Sequence, residues 1–193
     1  MKHLLLLGLA LAGCVQPPAP PARPAPVPSD APSLRVSSLE RGVHDATNVA
    51  RRRERLGALG YDDALAAVAR RHSADMARRG YFAHDAPDGS DVNARAARDG
   101  LTCRVTTGRQ TRVGFAENLA QVWRYSRWRE TRSAAGTRRT YDWRTPAEIV
   151  RETVDGWLGS PGHRRNLLGP ASREGVGVAI SGDGAVYVTQ VLC

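Results

Sequence analysis

The stretch from Thr145 to Pro170, TPAEIVRETVDGWLGSPGHRRNLLGP, carries the strongest local signal in the chain. Thr145 is a typical N-cap residue, Pro146 suits the first helical position, and Glu148 stands three residues after the cap, which is the capping-box pattern. These residues predict a helix that begins at Thr145 and ends near Gly159. Its inward face is expected to carry Ile149, Val150, Thr153, Val154 and Trp157.

Apolar residues at helical spacing predict three further helices upstream of this stretch. The first covers about Leu39–Leu56, and the run Arg51–Arg53 is interpreted as its solvated face. The second is capped by Asp62 or Asp63 and stopped by Gly80, and the short third one covers Asp91–Asp99. His72 falls on the apolar stripe of the second helix, where a buried structural histidine is favoured over a ligand.

The carboxyl-terminal end predicts a β-hairpin. Val176, Val178 and Ile180 alternate with other residues before the turn Gly182-Asp183-Gly184, and valines alternate again from Val186. Helices are thus concentrated early and strands late, which predicts an α+β fold with helices packed on an antiparallel sheet. Residues 34–193 have the size and apolar content of one domain with one core.

The amino terminus predicts export and a lipid anchor. Met1-Lys2-His3 precedes the apolar run Leu4–Ala12, which is too short to span a bilayer and is typical of a signal peptide. Leu11-Ala12-Gly13-Cys14 resembles the lipobox of bacterial lipoproteins, which implies removal of residues 1–13 and diacylation of Cys14. An ordinary signal peptide with an incidental cysteine is the alternative. The residue after Cys14 is Val15 and not Asp, which resembles the pattern that lets a lipoprotein move on to the outer membrane.

Residues 14–33 are predicted to form an extended spacer, because eight of the twelve prolines lie between Val15 and Pro32. The net charge of +9 falls to +8 when Lys2 leaves with the signal. A basic domain favours anionic partners such as lipid head groups or cell-wall polymers, whereas nucleic acid is not expected outside the cell. A GC-rich genome, which favours Arg and Ala, is the alternative source of the charge, and the oligomeric state is left open.

Two cysteines remain once Cys14 is acylated, namely Cys103 and Cys193. An even pair in an oxidising compartment predicts one disulfide. The separation of the two Cα atoms, which decides whether a bridge can form, is not set by the sequence.

The common signatures of several enzyme classes do not occur in this sequence. It contains no phosphate-binding glycine loop, no HExxH, no paired CxxC and no Gly-x-Ser-x-Gly elbow. The remaining candidates are polar residues that flank the predicted helices, where side chains can converge on a cleft. They are His84, Glu117-Asn118 and the run Ser160–Arg164.

Five segments, in this order, resemble the CAP superfamily of cysteine-rich secretory, antigen 5 and pathogenesis-related proteins in its bacterial SCP-like form. They are LAAVARRHSADMARRGYFAH, PDGSDVNARAARDGL, AENLA, WLGSPGHRRNLLGP and GVGVAI…YVTQVL. The resemblance covers nearly the whole domain. It implies an α-β-α sandwich with a central antiparallel sheet and a shallow cleft between its layers.

The resemblance also implies a site. Many family members line the cleft with two histidines and two glutamates, and some of them hold zinc on the histidine pair. By motif, His84 and His163 match the histidines and Glu117 matches one glutamate. The second glutamate position falls near Ser160, so the set is incomplete. His84 and His163, together with Glu117, are therefore the implied ligands of a divalent metal ion.

The missing carboxylate bears on catalysis. Two imidazoles and one carboxylate can hold zinc and leave a position for water, but hydrolysis also needs a general base. If Glu117 binds metal or orients a histidine, no matched residue fills that role, and Glu152 and Asp155 are the substitutes nearest in sequence. Alternatively, Glu117 only braces the histidines, while Asn118 and Arg164 hold loops together.

Residues 121–144 are interpreted as an insertion between two of these segments. It carries seven arginines, two acidic residues and interleaved tryptophans and tyrosines. Arginines beside aromatic rings can engage anionic, amphipathic surfaces. Arg124, Arg127, Trp128 and Arg129 are the expected binding residues. A loop that packs its tryptophans on the domain is the alternative.

Together these features predict a lipid-anchored CAP-domain protein of the cell envelope, expected at the outer membrane. Binding of a lipid or envelope component through the His/Glu-lined cleft is expected ahead of catalysis. A metal-dependent, zinc-using hydrolase or protease acting in the same cleft is the alternative function, and a purely structural scaffold is a third hypothesis.

Overall fold

The computed structural model describes residues 26–29 and 31–193. The predicted signal peptide, Cys14 and most of the proline-rich spacer lie outside these residues. The helices are α1 (Val36–Arg53), α2 (Asp63–Arg79), α3 (Val92–Ala97), α4 (Pro146–Gly159) and α5 (Pro161–Leu167). The strands are β1 (Gly60–Tyr61), β2 (Arg104–Thr107), β3 (Gln110–Val113), β4 (Ala116–Trp123), β5 (Tyr125–Ser133), β6 (Gly136–Trp143), β7 (Arg173–Ile180) and β8 (Ala185–Leu192).

A central sheet with the strand order β1-β7-β8-β4 forms the middle layer, and its three long strands run antiparallel. Alternate residues of a strand face opposite sides of a sheet. On one side, Val186 and Val188 pack with apolar residues of α1 and α4, including the buried Trp157. On the other side, Tyr187 packs with Met76 of α2. The predicted α-β-α sandwich is confirmed.

The helix ends follow their capping residues. Asp62 accepts hydrogen bonds from the first turn of α2, and α2 ends at Gly80, whose φ of 70° is the left-handed conformation that glycine adopts readily. Thr145 and Glu148 form the predicted capping box of α4. Among residues 26–29 and 31–193, no helix has the length and apolar character needed to cross a membrane.

Helix α2 lies unusually close to strand β7. A Cβ atom added at Gly175 would stand 2.0 Å from the backbone nitrogen of Ala66, and one at Gly177 would stand 2.1 Å from that of Arg70. Any larger side chain would therefore collide with the helix backbone. The two glycines set the distance between α2 and the sheet, which in turn places the loop that follows α2.

A disulfide joins Cys103 to Cys193, with a Cα–Cα separation of 5.6 Å. The bridge ties the end of β8 to the segment before β2. Residues 26–193 thus contain the central sheet, its helical layers and the disulfide, and they are expected to fold without the preceding segment.

The interpretation of Arg51–Arg53 as a solvated face is wrong for Arg51, which is 4 % exposed. Its guanidinium donates hydrogen bonds to the carbonyl oxygens of Gly57, Leu167 and Gly169. Arginine can be buried in this way because its several N–H groups satisfy carbonyl groups that would otherwise lack partners. Arg52 and Arg53 are exposed, as expected.

Candidate functional site

His84, Glu117 and His163 come together near the start of β4. Glu117 is the second residue of β4, His84 lies in the loop after α2, and His163 lies in α5. The Nδ1 atom of His84 lies 2.9 Å from Oε1 of Glu117. The ring centroids of His84 and His163 are 6.4 Å apart. Three side chains that are distant in the sequence thus share one site.

Hydrogen bonds from side chains to backbone carbonyl groups explain why the loop of His84 and helix α5 meet there. Arg95 of α3 donates through one terminal nitrogen to the carbonyl oxygens of His84 and Ser90. Asn118 donates to the carbonyl oxygen of His163, at 3.2 Å. Asn166 donates to the carbonyl oxygen of Glu117 and to the side chain of Asn118. The asparagine of the AENLA segment therefore holds the α5 segment against β4.

Glu117 is buried, at 6 % exposure, although it carries a carboxylate. Its Oε1 accepts from His84 and its Oε2 accepts from Arg95, which is itself only 7 % exposed. A buried charge is tolerated when it is paired and hydrogen-bonded. Arg95 balances the charge of Glu117, and the other carboxylate oxygen holds the ring of His84 by a hydrogen bond.

The surroundings of the two histidines shift their pKa values in opposite directions. The hydrogen bond to Glu117 raises the pKa of His84, and the negative charge of Glu117 adds to this effect. Burial lowers the pKa of His163, and the charge of His84 lowers it further. His163 therefore remains neutral to lower pH than His84 does. A pair with one imidazolium and one neutral imidazole can both donate to and accept from a ligand.

An open cleft of about 550 Å³ adjoins His84 and Glu117. Phe115, Val92 and Pro170 supply apolar surface, and Arg112 and Arg165 supply positive charge. The cleft contains one further acid, Asp91, which is engaged as the N-cap of α3 through Ala94. With Glu117 neutralised by Arg95, the cleft carries a net positive charge and suits an anionic group.

Glu152 and Asp155, the carboxylates considered as substitute bases, do not line this cleft. Glu152 forms an ion pair with Arg144, with an N–O distance of 2.8 Å. Asp155 borders a separate groove between α1 and α4. Ser160, near the position of the missing glutamate, lies between α4 and α5, and its side chain makes no capping hydrogen bond to α5. Besides Glu117, the described carboxylates near the two histidines are Asp91, which caps α3, and Asp85, the exposed chain neighbour of His84, which is not among the residues that line the cleft.

The fit of a divalent metal follows from the donor atoms. Both Glu117 oxygens already accept hydrogen bonds, so the atoms left to bind a metal ion are Nε2 of His84 and the ring nitrogens of His163. In the part of the chain that the structure describes, no group of three or more His, Cys, Asp or Glu could hold a metal ion. The arrangement fits two histidine ligands, one oriented by a carboxylate, with other ligands supplied from outside the protein.

The insertion predicted at residues 121–144 forms a two-stranded arm, the β5–β6 hairpin, which pairs with no other strand in the described residues. At its base, the rings of Trp123, Tyr125, Tyr141 and Trp143 pack together. Arg124 belongs to this base, because it lies over the Trp143 ring and donates to the carbonyl oxygen of Pro32. Farther out, Trp128 is 49 % exposed.

The hairpin and the cleft lie at opposite ends of β4. Glu117 is near the start of the strand and Trp123 is its last residue. Six residues of extended strand span ~20 Å. The insertion follows AENLA closely in sequence, but the intervening strand carries it away from the cleft. The two features are therefore separate surfaces.

Sequence reasoning missed Arg95, which contacts both His84 and Glu117. The residue stands in the quoted PDGSDVNARAARDGL segment, but its spacing resembles that of any arginine on a short surface helix. Sequence reasoning also missed Gln190, which is fully buried and accepts a hydrogen bond from Asn118. A polar residue among the valines of the last predicted strand was the available signal for Gln190.

Comparison with known proteins supports the family and the fold. The model of the cysteine-rich secretory protein family, CAP, matches residues 44–192. An uncharacterized protein of Bacillus subtilis (strain 168), YkwD, is 27% identical over 157 residues, which cover 81% of this chain and 48% of that protein. The chain therefore spans about half the length of this curated relative.

Two solved structures show the same architecture. An outer surface protein from Borrelia burgdorferi superposes with a TM-score of 0.60 at 15% identity, covering 82% of this chain and 94% of that one. An extracellular protein containing an SCP domain from Bacillus anthracis str. Ames gives a TM-score of 0.53 at 25% identity, covering 80% and 40%. At 15% identity, the likeness to the Borrelia burgdorferi protein shows a shared fold and nothing more.

Proposed function

Because this chain belongs to the CAP family of cysteine-rich secretory proteins, we propose that it is an envelope-anchored protein outside the cytoplasm that binds an anionic group of a wall polymer or lipid in its cleft. The observation that carries the proposal is the charge of the cleft. Arg112, Arg165 and His84 face one open space, while Glu117 is neutralised by Arg95. Binding is proposed ahead of catalysis, because both oxygens of Glu117 are engaged and the exposed Asp85 next to His84 does not line the cleft.

Export is supported by the amino terminus and by similar proteins. The signal and lipobox pattern of residues 1–14 would place the acyl chains on Cys14. One similar structure is an outer surface protein and another is an extracellular protein. A disulfide is also typical of an oxidising compartment.

The hairpin would face the anchoring membrane. The backbone N–H of Val27 donates to the carbonyl oxygen of Gly182 in the β7–β8 turn, and Arg124 of the hairpin base donates to Pro32. The spacer thus reaches the domain beside the hairpin. Arg127 and Arg129 alternate along β5, and Arg138 of β6 lies opposite Thr131, so the three exposed arginines share one face of the hairpin. Asp142 lies on the same face, 4.0 Å from Arg129. We propose that this face contacts anionic head groups.

The hairpin proposal is tested with vesicles. Residues 26–193 are expected to pellet with vesicles of phosphatidylcholine and phosphatidylglycerol, and Arg127→Gln/Arg129→Gln/Arg138→Gln is expected to lose about 3 kcal/mol of binding, because each arginine near such a surface contributes ~1 kcal/mol. Arg41→Gln/Arg52→Gln/Arg109→Gln removes the same charge from exposed sites elsewhere and should bind as the parent does. Equal losses in the two variants would contradict a specific hairpin contact.

The cleft proposal is tested on residues 26–193 with two probes, isolated cell-wall sacculi and the same anionic vesicles. Arg112→Gln/Arg165→Gln is expected to weaken binding about 30-fold, from ~1 kcal/mol for each arginine. Arg41→Gln/Arg52→Gln is the control. Loss on sacculi alone identifies a wall polymer, and loss on vesicles alone identifies a lipid. Unchanged binding to both probes would refute the cleft as the site.

A metal-dependent hydrolase is the second candidate, and the contact of Glu117 with Nδ1 of His84 favours it. This contact leaves Nε2 of His84 free and resembles the carboxylate–histidine pairs that orient metal ligands. A bound zinc ion would polarise a substrate carbonyl or activate water. Zinc titrated into the wild type should release heat that is absent from His84→Ala/His163→Ala. Identical heats from both proteins would remove this candidate.

A further inference from the structure

A row of buried polar side chains crosses the central sheet on the side that packs against α1 and α4. Glu174 of β7, Gln190 of β8 and Asn118 of β4 lie on neighbouring strands, and all three are fully buried. Asn118 and Gln190 stand directly opposite each other in the strand register. Gln190 shares its face of β8 with Val186 and Val188, which belong to the apolar core. Polar groups in such a place need hydrogen-bond partners within the protein.

Glu174 fixes the direction of the Gln190 amide. A carboxylate accepts hydrogen bonds and does not donate them. Oε2 of Glu174 accepts from Nε2 of Gln190, and Oε1 of Glu174 lies 2.7 Å from Nδ1 of His44. Nε2 of Gln190 also donates to Oγ1 of Thr47, at 3.1 Å. Both N–H groups of this amide are thus engaged away from β4, and its oxygen is the atom that faces β4.

The Gln190 oxygen in turn fixes Asn118. Nδ2 of Asn118 donates to Oε1 of Gln190, at 2.9 Å, and to the carbonyl oxygen of His163, at 3.2 Å. Its Oδ1 accepts from Nδ2 of Asn166, at 3.0 Å, which also donates to the carbonyl oxygen of Glu117. A flipped Gln190 amide would set two NH2 groups against each other, and neither could accept a hydrogen bond.

The row ends at the cleft. Asn166 and its neighbour Arg165 line the cleft and belong to α5, whereas Glu174 and Gln190 are not among the lining residues. We propose that Gln190, held by Glu174, is a positioning residue for the cleft, because the direction of its amide decides whether Asn118 can hold α5 against β4. The consequence for ligand binding rests on the proposed function, and the consequence for Asn118 does not.

The competing role for Gln190 is to fill space in the core. Methionine has a similar length and packs readily in apolar surroundings, so it would serve that role as well as glutamine. Methionine offers no N–H to Glu174 and no carbonyl oxygen to Asn118. The variant Gln190→Met therefore distinguishes a positioning residue from a space-filling one.

The first readout is the solvent exchange of the Asn118 side-chain N–H groups in ¹⁵N-labelled residues 26–193, relative to the backbone N–H of Val188. Exchange should be about 5-fold faster in Gln190→Met, which is the effect of one lost hydrogen bond. Thr189→Val is the control, because Thr189 is also fully buried but contacts Ser73 on the α2 side of the sheet. Equal relative rates in the wild type and Gln190→Met would overturn the proposal.

The second readout is binding to isolated cell-wall sacculi and to vesicles of phosphatidylcholine and phosphatidylglycerol. Gln190→Met should bind about 5-fold more weakly to the probe that the wild type binds, and Thr189→Val should bind as the wild type does. Unchanged binding by Gln190→Met, or equal weakening by both variants, would reject the role in the cleft. A wild type that binds neither probe would contradict the proposed function, and the exchange of Asn118 would still test this inference.

Transposing the pair, as Glu174→Gln/Gln190→Glu, tests the direction of the amide. The amide placed at position 174 can accept from His44 and donate to the carboxylate at position 190, which can accept from Asn118 and Thr47. The Tm and the Asn118 exchange should match the wild type, whereas Gln190→Glu alone sets two carboxylates side by side and should lower the Tm. A transposed protein that does not fold, or that melts with Gln190→Glu, would refute the proposal even where Gln190→Met does not fold.

Discussion

Replacing Glu117 with alanine is expected to destabilise the domain strongly, because Arg95 would remain buried without its counterion. The two side chains are 3 % and 7 % exposed, so water cannot take over the lost contact. Breaking a buried pair by removing one partner costs about 3–5 kcal/mol. For a domain of this size, each kcal/mol lowers Tm by about 2–4 °C. The expected loss is therefore about 6–20 °C.

The chain offers a matched control in Glu54 and Arg164. This Arg–Glu pair has an N–O distance of 2.8 Å, but its side chains are 49 % and 47 % exposed. Exposed pairs contribute less than about 1 kcal/mol, so Glu54→Ala should unfold close to the wild type. The assay is urea unfolding followed by tryptophan fluorescence, with calorimetry for Tm.

A second measurement distinguishes the effect of Glu117 on His84 from its effect on the stability of the whole domain. Glu117→Gln retains the size of the side chain but removes the charge that raises the pKa of His84. The pKa of His84, followed by its ring resonances, should fall in this variant and stay unchanged in Glu54→Ala. Equal destabilisation by Glu117→Ala and Glu54→Ala, or an unmoved His84 pKa, would refute the proposed role of the buried carboxylate.

Three further predictions concern the scaffold. Gly177→Ala should cost about 3 kcal/mol or more in urea unfolding, since its Cβ would meet the α2 backbone, whereas Gly156→Ala in α4 meets nothing and should stabilise slightly; equal effects would contradict this. Cys103→Ser/Cys193→Ser should lose about 2–5 kcal/mol, because the bridge joins residues 90 apart; an unchanged unfolding midpoint would contradict this. The hydrogen bond to buried Glu174 raises the pKa of His44. Its stabilising contribution is therefore fully present below the unfolded-state pKa and is lost as pH rises through the folded-state pKa. His44→Gln should show a weaker fall in unfolding free energy over this range, and parallel pH profiles would count against the contact.

Local signals made the helices predictable. The capping box of α4 involves only the four adjacent residues 145–148, and the end of α2 is marked by the single residue Gly80. The alternating valines of β7 and β8 likewise indicated a hairpin without any tertiary information. The position of His84 and His163 in one site followed from family motifs, which summarise long-range contacts that a single sequence does not display.

Residues whose roles depend on distant partners were not predictable. Arg51 resembles its exposed neighbours, and its burial is explained by carbonyl groups that come from Gly57, after α1, and from Leu167 and Gly169 at the end of α5. Arg95 and Gln190 depend on contacts with other elements in the same way. The separation of the hairpin from the cleft follows from the length of β4, once that segment is known to be a strand.

The contact between Val27 and Gly182 sets the largest distance at which the domain can stand from the bilayer, provided that Cys14 carries the lipid. Thirteen residue steps separate Cys14 from Val27, and a proline-rich segment extends at most ~40 Å over that length. The cleft lies ~20 Å beyond the attachment point, along β4. With the hairpin on the head groups the cleft would lie nearer the bilayer, and ~60 Å is the greatest height it could reach, so the length of the spacer sets the outermost layer of the envelope that the cleft can touch.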